Sequence, residues 1–157
     1  MAENIGIENS ASPEIDLKGK RVAGIDFGTK QMGIAVCDEF HITISTKGVL
    51  FREKPDFWPL LLKVLETERV SAVVVGMPYK EDGSVSQLMR LIHNFTRELH
   101  KRTNIPVLLF DESFSTRRAF DTMAEIGVKK MKQQQKGMKD RFAAAVILRD
   151  FLDELPG

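Results

Sequence analysis

The sequence contains little of what secreted and membrane-spanning proteins depend on. Cys37 is the one cysteine in 157 residues, so an internal disulfide framework is excluded. No apolar run approaches the roughly 20 residues of a membrane-spanning helix, and the N-terminus lacks the basic and apolar stretches of a secretory signal. A lone free cysteine is typical of a reducing compartment. We therefore expect a cytoplasmic protein with no membrane partner.

The composition that remains is typical of one ordinary globular domain. Apolar residues make up 43% and charged residues 29% of the chain, which is usual for soluble domains. A domain of this size buries roughly two-thirds of its unfolded surface and needs no disulfide to fold. Residues 1–17 are polar and acidic and show no periodicity, so we expect a disordered tail followed by one domain over 18–157.

The net charge of +1 hides an uneven distribution. Residues 1–16 contain four acidic residues and no basic one, whereas residues 117–141 contain eight basic residues against three acidic ones. A concentrated basic segment is typical of proteins that bind phosphate backbones. A merely solvated surface has the same composition, so the segment is a candidate nucleic-acid contact.

The apolar pattern predicts an α/β fold. The strand-like segments, in chain order, are 21–27, 31–37, 42–50, 70–75 and 106–110. The first three are joined too tightly for parallel pairing and should form an antiparallel meander. The amphipathic segments are a helix capped by Asp56, then 84–103, 116–126 and 139–155. This order predicts a five-stranded mixed sheet, a meander followed by βαβ units, flanked by helices.

Acidic residues stand where predicted strands end or helices begin. Asp26 lies at the end of the first strand, Asp111 and Glu112 follow the strand at 106–110, and Asp140 opens the last helix. In α/β sheets, functional side chains gather at strand ends and adjoining turns. An ordinary role is also open to two of them, since turn amides can satisfy Asp26 and Asp140 can cap its helix.

Asp111 and Glu112 are alternatives rather than a pair. Successive residues beyond a strand point in opposite directions, so only one of them should reach a shared site. Three carboxylates from two strand ends and a helix suit one or two Mg²⁺ or Mn²⁺ ions, because such cations prefer carboxylate and water oxygens. Two ions can activate a water and stabilise the leaving oxygen of a phosphodiester.

Four segments resemble, in order, the motifs of the YqgF/RuvX family. Members of that family are described as Holliday-junction-resolvase-like proteins and as pre-16S rRNA nucleases. The matching segments are 24–36 (GIDFGTKQMGIAV), 75–78 (VGMP) with 82–84 (DGS), 111–116 (DESFST), and 140–144 (DRFAA) with 147–148 (IL). The resemblance extends from about residue 21 to residue 155.

The resemblance implies a ribonuclease H-like fold and metal-dependent cleavage of structured nucleic acid. It places catalytic and metal-binding roles on Asp26, Glu112 and Asp140. It also implies that the cellular task is the trimming of ribosomal RNA precursors. Sequence alone leaves open whether the substrate is RNA or DNA and whether the protein is a monomer or a homodimer.

Substrate contacts are expected beside these carboxylates. The candidates are Lys30, Ser115, Thr116, Arg117, Lys129, Lys130 and Lys132. Helix capping is the alternative role for the serine and threonine, and solvation in a turn is the alternative for Lys30. The chain departs from the family at Gln31, usually basic, and at Ser113, usually arginine. Both departures remove positive charge, for which the basic loop 129–139 could compensate.

Three other functions stay open. A nucleotide-binding protein of the actin, Hsp70 and sugar-kinase superfamily has a similar Asp-x-Gly-Thr turn, but such proteins usually need a second domain. A non-catalytic nucleic-acid-binding or ribosome-assembly factor would keep the fold without cleavage. A Holliday junction resolvase would act on DNA, for which a symmetric dimer is required.

Overall fold

The computed structural model describes residues 2–4, 15–112 and 136–156, with side chains described for 15–112 and 142–156. The strands in these segments are β1 (Ala2–Asn4), β2 (Arg21–Phe27), β3 (Gln31–Cys37), β4 (Ile44–Phe51), β5 (Val70–Met77) and β6 (Val107–Asp111). The helices are α1 (Phe57–Thr67), α2 (Gln87–Thr103) and α3 (Lys136–Glu154).

The strands form one mixed sheet in the order β1-β6-β5-β2-β3-β4. β2, β3 and β4 are an antiparallel meander, whereas β5 pairs parallel with β2 on one side and with β6 on the other. The carboxyl ends of β2, β5 and β6 therefore lie at the same edge of the sheet. The predicted five-stranded mixed sheet of a meander and βαβ units is confirmed, and β1 adds a sixth, short strand.

The N-terminal region differs from its prediction. Ala2–Asn4 pairs antiparallel with β6, with Ala2 opposite Phe110 and Asn4 opposite Leu108. The side chain of Leu17 is only 4% exposed. These residues of the expected tail are thus paired or buried, because an open strand edge can pair with backbone groups whatever the side-chain pattern. Residues 5–14 lie outside the described segments.

The helix starts follow local hydrogen bonding more than periodicity. α2 begins after Ser86, whose hydroxyl accepts the Met89 N–H at 3.1 Å. Asp56 stands at the N-cap position of α1, but its side chain makes no capping hydrogen bond. The predicted cap is wrong in that respect. The predicted helix over 116–126 lies outside the described segments.

α1 and α2 cover one side of the sheet, which we call the α1/α2 face. Large side chains fill it, and four aromatic rings form its centre. The Phe95 ring centroid lies 5.1 Å from that of Phe27, 6.4 Å from that of Phe57 and 5.6 Å from that of Trp58. Burial of such rings is the main favourable contribution to folding on this side.

α3 covers the opposite side, which we call the α3 face. Glycine is important here, because a Cβ on Gly24 of β2 would lie 2.7 Å from the Leu148 Cβ and 2.9 Å from the Ala144 carbonyl oxygen. The helix backbone thus lies almost directly on the central strand. Cys37 is buried on this face beside the Val22 N–H, which donates to its Sγ at 3.2 Å. Burial raises the pKa of this thiol, as expected for a packing residue.

One arginine defines the direction of α3. Arg149 donates to the carbonyl oxygens of His41 at 3.3 Å and Ile42 at 2.7 Å. His41 and Ile42 belong to the β3–β4 connection, at the end of β3 that is far from the carboxyl end of β2. The helix therefore begins near the carboxyl ends of β2, β5 and β6 and ends at the other side of the sheet.

Candidate metal centre

Asp26 lies on the α3 face at the carboxyl end of the central strand. Side chains alternate between the two sides of a strand, so positions 22, 24 and 26 of β2 share one side. Val22 packs in the α3-face core. Asp26 pairs with Gly33 of β3 across the meander and is half-buried. A carboxylate thus projects from a central strand at the edge where parallel α/β sheets place their functional groups.

Glu112 reaches the same face from β6. Its N–H donates to the Met77 carbonyl oxygen at 3.2 Å, and its side chain is folded inward, so that the residue is 8% exposed. A Cβ on Gly76 would lie 2.7 Å from Glu112 Cδ and 2.9 Å from Oε2. The carboxylate of Glu112 therefore lies directly over the backbone of β5.

The adjacent Asp111 takes the other side. Asp111 pairs with Met77, whose side chain belongs to the α1/α2-face core, and Asp111 itself is exposed. Of the two alternatives that the sequence left open, the structure brings Glu112 and not Asp111 to the face that carries Asp26.

Gly76 lies beneath the Glu112 carboxylate, next to the strand that carries Asp26. The register pairs Ile25 of β2 with Val75 of β5, so Asp26 and Gly76 are the next residues along two neighbouring strands. Because Gly76 has no side chain, nothing from β5 separates the Glu112 carboxylate from the strand that carries Asp26. Sequence reasoning did not single out Gly76, although a glycine that interrupts the apolar run 70–77 was a usable signal.

Asp140, the third predicted ligand, belongs to the part of α3 for which only the backbone is described. It precedes Ala144 by one helical turn, and the Ala144 carbonyl lies against Gly24. Its backbone is therefore on the side of the sheet that carries Asp26 and Glu112, toward the same edge. Within residues 15–112 and 142–156, no three His, Cys, Asp or Glu side chains form a metal-binding group.

A tight turn follows Asp26. The Gly28 N–H donates to the Gln31 carbonyl oxygen at 3.0 Å, and a Cβ on Gly28 would collide with that oxygen. Lys30, a predicted substrate contact, is exposed in this turn. Arg52, which the sequence analysis did not identify, donates a hydrogen bond to this turn. Its Nη1 lies 2.7 Å from the Thr29 carbonyl oxygen.

The loop after β5 contains the Asp-Gly turn of the second motif. Asp82 Oδ1 accepts the Ser84 hydroxyl at 2.6 Å and the Ser84 N–H at 2.9 Å. These hydrogen bonds lower the pKa of the exposed Asp82 carboxyl. Asp82 therefore stabilises its own turn through these hydrogen bonds, as the Asp-Gly turn sequence predicted.

The remaining predicted substrate contacts cannot be placed. Ser115, Thr116, Arg117, Lys129, Lys130 and Lys132 all lie outside the described residues. No helix in the described part of the chain is long and apolar enough to cross a membrane.

A sheet of this order, with carboxylates at the ends of β2 and β6 and a helix across them, defines the RNase H-like class of α/β proteins. In line with this, the RuvC structure of Thermus thermophilus superposes with a TM-score of 0.51 at 15% identity, covering 85% of this chain and 96% of that chain. The chain belongs to the RuvX family, a family of nucleases, whose model, described as a Holliday junction resolvase, matches residues 20–154.

Two curated relatives are similar over most of their length. One from Syntrophus aciditrophicus is 30% identical over 139 residues, or 86% of this chain and 89% of the relative. One from Chlorobaculum tepidum is 35% identical over 137 residues, or 85% of this chain and 94% of the relative. Both are named as candidate pre-16S rRNA nucleases. The predicted family is therefore confirmed.

Proposed function

We propose that this protein is a metal-dependent nuclease that hydrolyses phosphodiester bonds of structured nucleic acid, with the 5′-end maturation of pre-16S rRNA as its task. One observation carries the proposal. The carboxylate of Glu112 lies over Gly76, on the face of the sheet that carries Asp26. Both residues are at the carboxyl ends of their strands. A buried carboxylate is costly unless hydrogen bonds or a cation stabilise it, and a metal ion at this edge would be such a cation.

The donor set fits one or two Mg²⁺ or Mn²⁺ ions. Asp26 and Glu112 offer hard carboxylate oxygens, and the absence of a Cβ on Gly76 lets the Glu112 carboxylate lie against β5. Asp140, which precedes Ala144 by one turn, is the proposed third ligand. Bound ions of this kind supply a nucleophilic water and stabilise the leaving oxygen of the phosphodiester.

The residues of this chain have separate tasks in the proposed reaction. Asp26 is on β2, which pairs with β3 on one side and with β5 on the other, and serves as the central anchor. Glu112 and Asp140 complete the set from a strand end and from α3. Lys30, exposed in the turn beyond Asp26, is placed to contact a phosphate oxygen.

Further contacts to the nucleic-acid backbone are proposed from the basic segment. They are Ser115, Thr116, Arg117, Lys129, Lys130 and Lys132. Positive charge in this segment would compensate for the missing basic residues at Gln31 and Ser113. Affinity that depends on such contacts should fall as the salt concentration rises.

The substrate class is proposed from the relatives. Their names point to pre-16S rRNA, and that substrate would place the protein in the cytoplasm. Trimming a single RNA strand needs one site, so a monomer or a homodimer would serve. The description of the family model, a Holliday junction resolvase, makes a four-way DNA junction the second candidate substrate.

The first experiment compares purified wild type with Asp26→Asn and Glu112→Gln on a labelled ribosomal RNA precursor and a four-way DNA junction. Substituting a residue that merely supports a metal ligand costs about 10- to 100-fold, so removing a ligand should slow cleavage by more than about 100-fold. Cleavage should also stop on chelation and return with Mg²⁺ or Mn²⁺.

Asp111→Asn is the matched control, because it removes the neighbouring carboxylate on the other face. It should cleave at close to the wild-type rate. If Asp111→Asn and Glu112→Gln lose activity equally, the proposed site is wrong. Binding without cleavage under every metal condition would instead favour a ribosome-assembly factor.

A second measurement does not depend on activity. Mg²⁺ bound to the native state should raise the thermal unfolding midpoint of the wild type. The shift should shrink in Asp26→Asn and remain in Asp111→Asn. An equal shift in all three proteins would place the ion elsewhere.

A further inference from the structure

Arg52 directly follows β4 and holds the turn beyond Asp26 through several contacts. Its Nη1 donates to the carbonyl oxygens of Gly28 at 3.3 Å and Thr29 at 2.7 Å. Its backbone N–H donates to the Lys30 carbonyl oxygen at 2.8 Å. Its guanidinium carbon lies 4.2 Å from the centroid of the Phe27 ring. One residue thus binds three successive carbonyl groups and stacks on the strand before them.

The position of Arg52 determines which way the peptide N–H groups of the turn point. Phe27 packs in the α1/α2-face core, so the guanidinium stacked on it lies on that side, away from Asp26. In a trans peptide, the N–H points opposite to the C=O. With the Gly28 and Thr29 carbonyls directed at Arg52, the N–H groups of Thr29 and Lys30 are directed away from it, toward the side that carries Asp26.

The chemistry of arginine suits this task. A planar guanidinium can donate to two carbonyls while its face stacks on an aromatic ring, which an ammonium group cannot do. Burial lowers the pKa of the Arg52 guanidinium, and the charge of Glu53 opposes that shift. The side chain nevertheless stays protonated at neutral pH, so all its donors remain available.

We propose that Arg52 is a positioning residue, which locks the turn at 28–30 so that the Thr29 and Lys30 amides face a substrate phosphate beside Asp26. The inference rests on the proposed function. Successive amides that point the same way form a site for an anionic oxygen. Arg52 thereby assists the reaction from the far side of the sheet, without touching the substrate.

Arg102 is a matched control for Arg52. Its guanidinium carbon lies 4.4 Å from the centroid of the Trp58 ring, and its Nε donates to Glu98 at 2.9 Å. Arg52→Gln and Arg102→Gln thus each remove an arginine that stacks on an aromatic ring, although Arg52 is partly buried and Arg102 is exposed. Only Arg52→Gln also frees the turn.

The test measures kcat and KM for RNA cleavage, and amide hydrogen exchange at Gly28, in wild type, Arg52→Gln, Arg52→Lys and Arg102→Gln. Small misplacements of a reacting group can cost about 100-fold, so kcat should fall by about 10- to 100-fold in Arg52→Gln. Exchange at Gly28, whose N–H donates within the turn, should accelerate. Arg52→Lys should restore neither the wild-type kcat nor the wild-type exchange rate at Gly28. Arg102→Gln should leave both at their wild-type values. All measurements are made at a temperature well below the unfolding midpoint of each variant.

Two results would overturn the inference. If Arg52→Gln exchanges at Gly28 like the wild type, Arg52 does not lock the turn. If Arg52→Lys restores full kcat, positive charge alone is sufficient. A wild type that cleaves no substrate would defeat the proposed function, whereas the exchange measurement would still decide whether Arg52 holds the turn.

Discussion

On the α1/α2 face, the rings of Phe27, Phe57, Trp58 and Phe95 fill the space between sheet and helices. On the α3 face, Gly24 lets the backbone of the helix approach the central strand directly. The first face is packed through large aromatic rings, whereas the second combines the close approach of a helix backbone with a core that includes Phe110 and Phe151. The same strands therefore serve two different purposes on their two sides.

The difference explains where the carboxylates can be. A layer of large rings leaves no space for Asp26 and Glu112, and it would enclose their charges in an apolar core. Over Gly76, by contrast, the Glu112 carboxylate has room. The proposed chemistry is thus on the α3 face, opposite the aromatic cluster, and the following substitutions test that arrangement in order of their expected effect on stability.

The largest loss of stability is expected on the α1/α2 face. Phe95 is 6% exposed, and Phe95→Ala should lower the free energy of unfolding by about 3–5 kcal/mol, as is usual for removing a buried ring. Denaturant unfolding measures the loss, and the molecules that remain folded should still cleave. Leu60→Ala, on α1 at a position that is 42% exposed, is the control and should cost below about 0.5 kcal/mol. Equal costs would mean that the rings are not the centre of this core.

A smaller loss is expected from Gly24→Ala on the α3 face. The added methyl group meets the Leu148 Cβ and the Ala144 carbonyl oxygen, which cannot move unless α3 itself moves. Overpacking of this kind usually costs about 1–3 kcal/mol. Thermal unfolding measures the change, and an unaltered midpoint would show that α3 can retreat freely from the sheet.

The smallest effect on stability is expected from Gly76→Ala, which is matched to Gly24→Ala. Here the new methyl group meets Cδ and Oε2 of Glu112 and Cδ1 of Ile147, the ends of flexible side chains, so the cost should lie at the low end of the about 1–3 kcal/mol usual for overpacking. Cleavage should nevertheless fall by about 100-fold, since the Glu112 carboxylate is displaced. Gly76→Ala with full activity would remove Gly76 from the site.

The fold could be predicted because apolar periodicity reports directly on burial. The strand pattern located five strands, and the short connections of the meander decided which of them are antiparallel. β1 was missed because Ala2–Asn4 pairs through its backbone with an edge strand and carries no pattern of its own. Capping was less predictable than burial, since Asp56 and Ser86 are both good candidates and only Ser86 accepts a hydrogen bond.

The site was predictable only in part, for geometric reasons. Asp26 could be identified because it interrupts a buried strand. The choice between Asp111 and Glu112 depends on which way each turns beyond the strand, and local sequence does not fix this. Arg52 was not recognisable, because its contact with Thr29 spans 23 residues and depends on the pairing of β3 with β4.

Synthesis delivers this chain from its N-terminus, so every strand of the sheet precedes α3. The α1/α2 face can close while the chain is still being made, whereas the α3 face stays open until α3 has been made. Arg149 and its acceptor on Ile42 are 107 residues apart, and contacts of such long range form slowly. The α3 face should therefore be completed after the α1/α2 face.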